Sequence, residues 1–437
     1  MKNKTIQENF RQRLHYVIPG GAHTYSRGDD QYPANAPEIL ERGEGAYVFD
    51  SKGEKFLDYS MGLRSVNIGY SNREIADAAY AEIMKGNNLS RASKTELKAA
   101  ELMVDLIPST DMVKFAKHGS TVTTAAIKLA RAYTGKKMVA VPVEHPFFSF
   151  DDWFIGSTVV RRGVPDEICQ LTLQFNYNDI DSLKKLFEKY TDQIAAVILE
   201  PATSTIPKNN FLHEVKKICK SNGAVFILDE MITGFRWHLQ GAQTYFNIQP
   251  DLSTFGKAMA NGFAVAALCG RREIMELGSI VNEGAERVFL TSTTHGAEMS
   301  ALGAFIKTIE ILKRDNVVEH FWNYGGKLIN GINEIALNLN IQHYFRIDGF
   351  DCSPVFSTKD ENGDNSLAYR TLFVQEMVEN KVLIPAIAIS ASHGHEELQK
   401  TLIAVETSLK VYKKALNEGI QKYLKSPIIK PVFRKFN

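Results

Sequence analysis

Between about residues 95 and 290 the chain alternates helical stretches with short, uninterrupted apolar runs, and this alternation limits the folds open to it. "KMVAVPV" (137–143), "AAVILE" (195–200) and "AVFILDE" (224–230) lack the apolar/polar alternation of a half-buried strand. Such runs read as strands buried on both faces. Between them, "DIDSLKKLFEKY" and "FLHEVKKICKSNG" repeat their apolar residues with helical period, and the second ends on an Asn-Gly stop. Strand, helix, strand in succession implies a parallel sheet with helices on both faces. Upstream, residues 5–17 read as an amphipathic helix, and "GAYVFDSKGEKFLDYSMG" alternates about the turn "DSKGE" as a β-hairpin does. Downstream, "ALGAFIKTIEILKRD" is a long helix. The tail, with "HYFRIDG", "CSPVFST" and "LFVQEMVENKVLI", mixes strands and helices into a small α+β domain shared with the N-terminal hairpin.

Composition excludes several classes of function. A net charge of +1 over 437 residues offers no global field for nucleic acid. No apolar run approaches the roughly 20 residues that span a bilayer, and "MKNKTIQENFRQRLHYVIPGG" has no signal-peptide core. Cysteines 169, 219, 269 and 352 form no CxxC pair and read as free thiols in a reducing compartment. The expectation is a cytoplasmic protein without membrane or nucleic-acid partners. "SHGHEE" (392–397) lacks the further convergent ligands a zinc site needs and reads as a helix start, so no metal is expected.

Ligands of open α/β sheets bind at the carboxyl ends of the strands. Glu200 ends one apolar run and Asp229 the next. Each is open to a plainer role, capping the helix that follows. "KHGSTVTTAAIKLARAYTG" (117–135) opens a helix with a Gly-Ser-Thr turn, where Ser120 or Thr121 suits the N-cap. Its free N–H groups and hydroxyls, at the positive end of the helix dipole, suit a phosphate. Lys257 lies in "DLSTFGKAMANGFAVAALCGR", an amine among Gly, Ala, Met and Phe. Desolvation lowers an amine's pKa and makes it a nucleophile toward carbonyls. A phosphate-holding turn, a strand-end carboxylate and a buried amine together are what pyridoxal phosphate requires.

With these residues in view, the chain resembles the class III aminotransferases, in their glutamate-1-semialdehyde aminomutase-like branch. "FILDEMITGFRW" is followed by "FGKAMANGFAVAALCGRREIM", with Lys257 28 residues after Asp229. "PGGAHTYSRG" (19–28), "RGEGAYVFDSKGEKFLDYSMG" (42–62), "HGSTVTTAAIKLARAYTGKK" (118–137) and "TSTTHGAEMSALGA" (291–304) appear in family order. The resemblance implies the type I pyridoxal-phosphate fold: an α/β large domain with a mostly parallel seven-stranded sheet, plus a small α+β domain from both chain ends. On that reading residues 1–65 join the small domain, 66–320 form the large domain, and 321–437 complete the small one. By the same resemblance Lys257 is the Schiff-base lysine and proton shuttle, and Asp229 pairs with the pyridinium nitrogen. Met231 packs on one ring face, Ser120 and Thr121 hold the phosphate, and Glu200 lies on the ring-hydroxyl side. Thr293 reaches the phosphate of a neighbouring subunit, because family members are homodimers with shared active sites.

The chain departs from the family pattern in three places. An aromatic-His-Gly motif usually follows the strand at 138–143. Here "EHPFFSFDDW" stands instead, with Phe147 the first choice for the stacking ring and Phe148 the second. "GLRS" (62–65) replaces "SWGP", so Arg64 stands near the position of a pocket Trp. "STTHGAE" replaces "TLSGNP", which puts His295 and Glu298 at the substrate entrance. Arg27 and Arg64 are candidates for binding a carboxylate or phosphate. The expected activity is transfer of an amino group between a donor and a carbonyl-containing small molecule. The alternatives are an intramolecular aminomutase and, more remotely, a non-catalytic binding protein of this fold.

Overall fold

The computed structural model describes residues 10–145, 147–296 and 298–437. The chain divides into two compact units. A small unit takes residues up to Leu63, Asn67–Asn72 and Glu319–Arg434; a large unit takes Arg64–Val66 and Arg73–Val318 with the last three residues.

The large unit is built on seven strands: β4 (Met112–Ala116), β5 (Met138–Pro142), β6 (Thr172–Phe175), β7 (Ile194–Leu199), β8 (Val225–Asp229), β9 (Leu252–Phe255) and β10 (Ala266–Gly270). Their order is β4-β10-β9-β8-β7-β5-β6. β10 runs antiparallel to both its neighbours, and the other pairings are parallel. β4, β5, β7, β8 and β9 therefore all deliver their carboxyl ends to one edge. Every residue of β7, β8 and β9 is buried, as their uninterrupted apolar runs require. Helices Ile180–Lys189 and Phe211–Ser221 cover the sheet with their apolar stripes, Leu183 and Phe187 on one and Phe211, Leu212, Val215 and Cys219 on the other.

The small unit holds the expected hairpin, β2 (Tyr47–Asp50) against β3 (Lys55–Asp58), flanked by β1 (Leu40–Glu44) and by β13 (Val382–Leu383), which pairs parallel with β3. β11 (Phe345–Phe350) and β12 (Ser353–Thr358) form a second hairpin. The N-terminal helix is Phe10–Val17, and the part of the expected helix before Phe10 lies outside the described residues. A helix that the sequence reading did not distinguish runs from Val317 to Asn338. Two consecutive glycines in "NYGGK" obscured it. Gly325 is required there, because a Cβ would stand 1.6 Å from the Asp351 carbonyl oxygen. "SHGHEE" does open a helix, His395–Glu418, with Glu397 accepting from the Gly394 N–H. His393 lies buried beneath it, stacked on Tyr59 at 4.6 Å between ring centroids. Among the described residues no helix is long and apolar enough to cross a membrane.

Candidate active site

The candidate side chains of the large unit sit at or just beyond the carboxyl ends of its strands. Asp229 is the last residue of β8, Glu200 follows β7, His145 follows β5, and Lys257 follows β9 after Gly256. Lys257 has φ of +41°, a left-handed conformation that opens a short 3-10 turn, Lys257–Ala260. Strain of this kind in a non-glycine residue concentrates at functional sites.

Asp229 is buried, and its Oδ1 is fully engaged. It accepts from the Met231 N–H at 2.9 Å and from Thr254 Oγ1 at 3.1 Å, which leaves Oδ2 without a protein donor among the described residues. Burial pushes its carboxyl up to about 6, against the pull of Lys257, so it is mostly ionised at neutral pH. Glu200 is pushed up to about 8 by burial and by the Asp229 charge, and so carries its proton at neutral pH. Two carboxyls whose environments drive them to different protonation states form a ready acid/base pair. Lys257 is enclosed by protein yet keeps a solvent-accessible face. Its amine is lowered by desolvation first, with Arg64 and Arg236 adding to this and Glu200 and Asp229 opposing it. No hydrogen bond among the described residues holds its Nζ, so the amine is available to react.

The helix Gly119–Thr134 begins two or three residues earlier than the sequence suggested. His118, not Ser120 or Thr121, is the N-cap, and its side chain caps nothing. This corrects the expected cap. The two hydroxyls sit in the first turn; the Thr121 N–H donates to the His118 carbonyl at 3.2 Å, while those of Gly119 and Ser120 have no acceptor among the described residues and stay open to a bound anion. Ser120 Oγ accepts from the Phe150 N–H at 3.1 Å, and Thr121 Oγ1 lies 3.0 Å from His118 Nδ1. Thr123 Oγ1 donates to the Phe148 carbonyl at 2.9 Å, so the segment after β5 is laced to this first turn.

Met231 Sδ lies against two glycines. A Cβ on Gly119 would stand 2.9 Å from it, and one on Gly256 would stand 2.7 Å away. Gly119, the first residue of the helix, and Gly256, just before Lys257, thus leave room for this one sulfur. Phe147 is 45% exposed and meets Phe154 edge-on at 5.9 Å, whereas Phe148 is buried. Glu298 pairs with Lys117, just ahead of His118, and with His295 Nδ1 at 3.3 Å. Thr293 is exposed on the same loop, which Asn88 anchors through the Thr294 carbonyl at 3.0 Å. The large unit thus brings together the predicted Ser120, Glu200, Asp229, Met231 and Lys257. Arg27 belongs to the small unit, where it helps line a cavity of about 530 Å³ with Tyr32 and Tyr70.

Sequence reasoning missed two residues. His145 is buried, accepts from the Glu200 N–H at 3.1 Å through Nδ1, and has no partner for Nε2 among the described residues. Burial pushes it down to about 3, so the ring is neutral with its proton on Nε2, a buried donor that a bound oxygen atom would satisfy. Arg236 is 1% exposed and donates from Nη2 to the Arg64 carbonyl at 3.0 Å. The available signal was the one used for Lys257: a lone polar residue at a strand end, or within an apolar stretch.

The family model described as "Aminotransferase class-III" matches residues 29–387. The chain belongs to the class-III aminotransferases. It is 32% identical over 420 residues to a glutamate-1-semialdehyde 2,1-aminomutase of Alkaliphilus oremlandii, covering 92% of this chain and 98% of that one. An enzyme of the same name from Francisella philomiragia is 30% identical over 427 residues, covering 92% and 97%. Among solved structures, the pyridoxal-phosphate internal-aldimine form of FumI from Sphingopyxis sp. MTA144 superposes with a TM-score of 0.85 at 24% identity, covering 94% and 97%. An omega-transaminase from Sphaerobacter thermophilus gives 0.83 at 23%, covering 92% and 97%. These two likenesses show the fold, which is fold type I. This class-III aminotransferase is a pyridoxal-phosphate-dependent enzyme of the transaminase type. Its residues fit the cofactor: open N–H groups at a 16-residue helix, a free oxygen on Asp229, an unengaged Lys257 amine and an unsatisfied His145 donor.

Proposed function

We propose that this enzyme moves an amino group between an amino donor and a carbonyl-containing small molecule, with Lys257 as the reacting amine. When bound, pyridoxal phosphate supplies an electron sink for the carbanion formed at the substrate's reacting carbon. The chain's own residues do the rest. The helix beginning at Gly119 holds the phosphate through its first-turn N–H groups and the Ser120 and Thr121 hydroxyls. Asp229, with Oδ1 fixed by Met231 and Thr254, offers Oδ2 to the ring nitrogen and keeps it protonated. Met231 packs on one face of the ring, and Phe147 is the first choice for the other. Lys257 carries a proton at Nζ between the substrate carbon and the cofactor, a task its lowered pKa suits. Glu200, protonated, stands as a hydrogen-bond donor on the ring-hydroxyl side. Arg27, Arg64, His295 and Glu298 are proposed to contact substrate. Thr293 is proposed to reach the phosphate of a second copy in a cytoplasmic homodimer.

The observation that most supports this reading is the burial of two carboxyls, Glu200 and Asp229, within electrostatic reach of the Lys257 amine, whose Nζ has no hydrogen bond among the described residues. The test is the absorbance spectrum with added pyridoxal phosphate. A band at roughly 410–430 nm that is lost in Lys257→Ala, and bleached by particular amino donors, supports transamination. The relatives named glutamate-1-semialdehyde 2,1-aminomutase favour a second reading, in which one molecule keeps its nitrogen and no second substrate is needed. Conversion of that semialdehyde alone, without a keto product, would replace the first reading with the second.

A further inference from the structure

Beside Asp229 stands a second buried acid, which the chemistry proposed above does not use. Glu230 has no exposed surface, and both oxygens of its carboxyl accept hydrogen bonds. Oε2 accepts from Thr233 Oγ1 and from the Ala242 N–H at 2.8 Å, and Oε1 accepts from the Gln243 N–H at 2.8 Å. An amide in place of the carboxyl would set an N–H against one of these backbone donors whichever way it turned. The Glu230 backbone is held as well: its N–H donates to the Thr254 carbonyl at 2.8 Å, and its carbonyl accepts from the Gly234 N–H at 2.9 Å. One side chain thus ties together both ends of the loop 231–241. The far end runs so close to it that a Cβ on Gly241 would stand 2.8 Å from Oε1. Gln243 extends the tie, because its Oε1 accepts from Ser109 Oγ.

The loop so closed begins with Met231. The Met231 N–H donates to Asp229 Oδ1 at 2.9 Å, and its Sδ lies against Gly119 and Gly256. A methionine side chain is flexible, so the backbone that carries it decides where its sulfur sits. Further along, Phe235 is buried with φ of +60°, and its ring lies 5.5 Å from that of Phe255. A non-glycine residue keeps such a φ only where its surroundings over-determine it. The packed ring and the Glu230 tie together supply that constraint.

We propose that Glu230 is a positioning residue, which clamps the loop 231–241 shut and so seats Met231 against the cofactor ring. The proposal rests on the pyridoxal-phosphate site described above and names a residue that shapes it from outside. It is tested on the full chain by titrating wild type, Glu230→Gln, Met231→Ala and the double variant with pyridoxal phosphate. Met231→Ala should raise the Kd by about 2- to 10-fold, as for loss of a sulfur–ring contact. Glu230→Gln should raise it by a similar factor, and the double variant should bind no more weakly than the weaker single variant. The circular dichroism of the bound cofactor's visible band, which reports how the ring is held, should weaken in both single variants. Thr233→Val, which removes one donor of the clamp, should move both readouts the same way by less, and it decides the outcome where Glu230→Gln does not fold. In wild type without cofactor, hydrogen exchange should find the Ala242 and Gln243 amides protected. Fast exchange of these two amides overturns the proposal whether or not the variants fold. Additive losses in the double variant overturn it too, as does an unchanged Kd and dichroism in Glu230→Gln, or in Thr233→Val where only that variant folds. Absence of any visible band when pyridoxal phosphate is added to wild type defeats the transaminase reading instead, so the two failures are separable.

Discussion

Gly256→Ala tests how the cleft is assembled. The new Cβ would stand 2.7 Å from Met231 Sδ, and ordinary contact begins near 3.4 Å, so the sulfur must retreat by about 0.7 Å. Gly119 borders the same atom, since a Cβ there would stand 2.9 Å from it, so retreat in that direction is limited by the Gly119 backbone. Overpacking of this size costs about 1–3 kcal/mol, and a flexible methionine puts the cost near the low end. Without cofactor the flexible methionine can change rotamer, so the apo protein should lose about 3 °C in Tm or less. With the ring proposed to pack on Met231, that freedom would be lost and the cost would fall on binding. The Kd for pyridoxal phosphate, read from the visible band, should rise about 5- to 100-fold. In a Met231→Ala background the same substitution should cost little, because the atom it strikes is gone. Additive effects of the two substitutions in the double variant would refute the reasoning. A large fall in apo Tm with unchanged cofactor affinity would also refute it.

Two further expectations concern pH. Glu200 has a folded pKa raised to about 8, so between about pH 4.5 and 8 the folded apo protein holds a proton that the unfolded chain releases. Stability must then fall as pH rises through that window, by about 1.4 kcal/mol per pH unit from this group. Apo Glu200→Gln should therefore gain in stability over wild type across that window, and denaturant midpoints that track each other at every pH would contradict it. His393 has the opposite sign: burial pushes it down to about 4, so it contributes stability at neutral pH that is lost as pH falls from about 6.5 toward 4. His393→Gln should flatten the acid limb of the small unit's unfolding profile, measured by circular dichroism, and an unchanged limb would exclude His393 as its cause.

The layering of this chain was written in local pattern. Apolar runs such as "AAVILE" have no polar face to show to water, so they must be covered on both sides, and helical-period segments between them supply the cover. Asp229 and Lys257 were legible for the same reason, since a charge in such a setting stands out. The helix Val317–Asn338 was not legible, because its Gly325 answers to the backbone at Asp351, 26 residues away in sequence. The His118 cap, the unsatisfied His145 nitrogen, the Arg236 bond to the Arg64 carbonyl, and the seat of Met231 against Gly119 and Gly256 were likewise decided by the tertiary structure. Each depends on which strand ends lie side by side, and the order β4-β10-β9-β8-β7-β5-β6 is set by long-range packing. Periodicity reports what each segment must bury. Only the assembled sheet determines which segments meet, and so which lone amine faces which carboxyl.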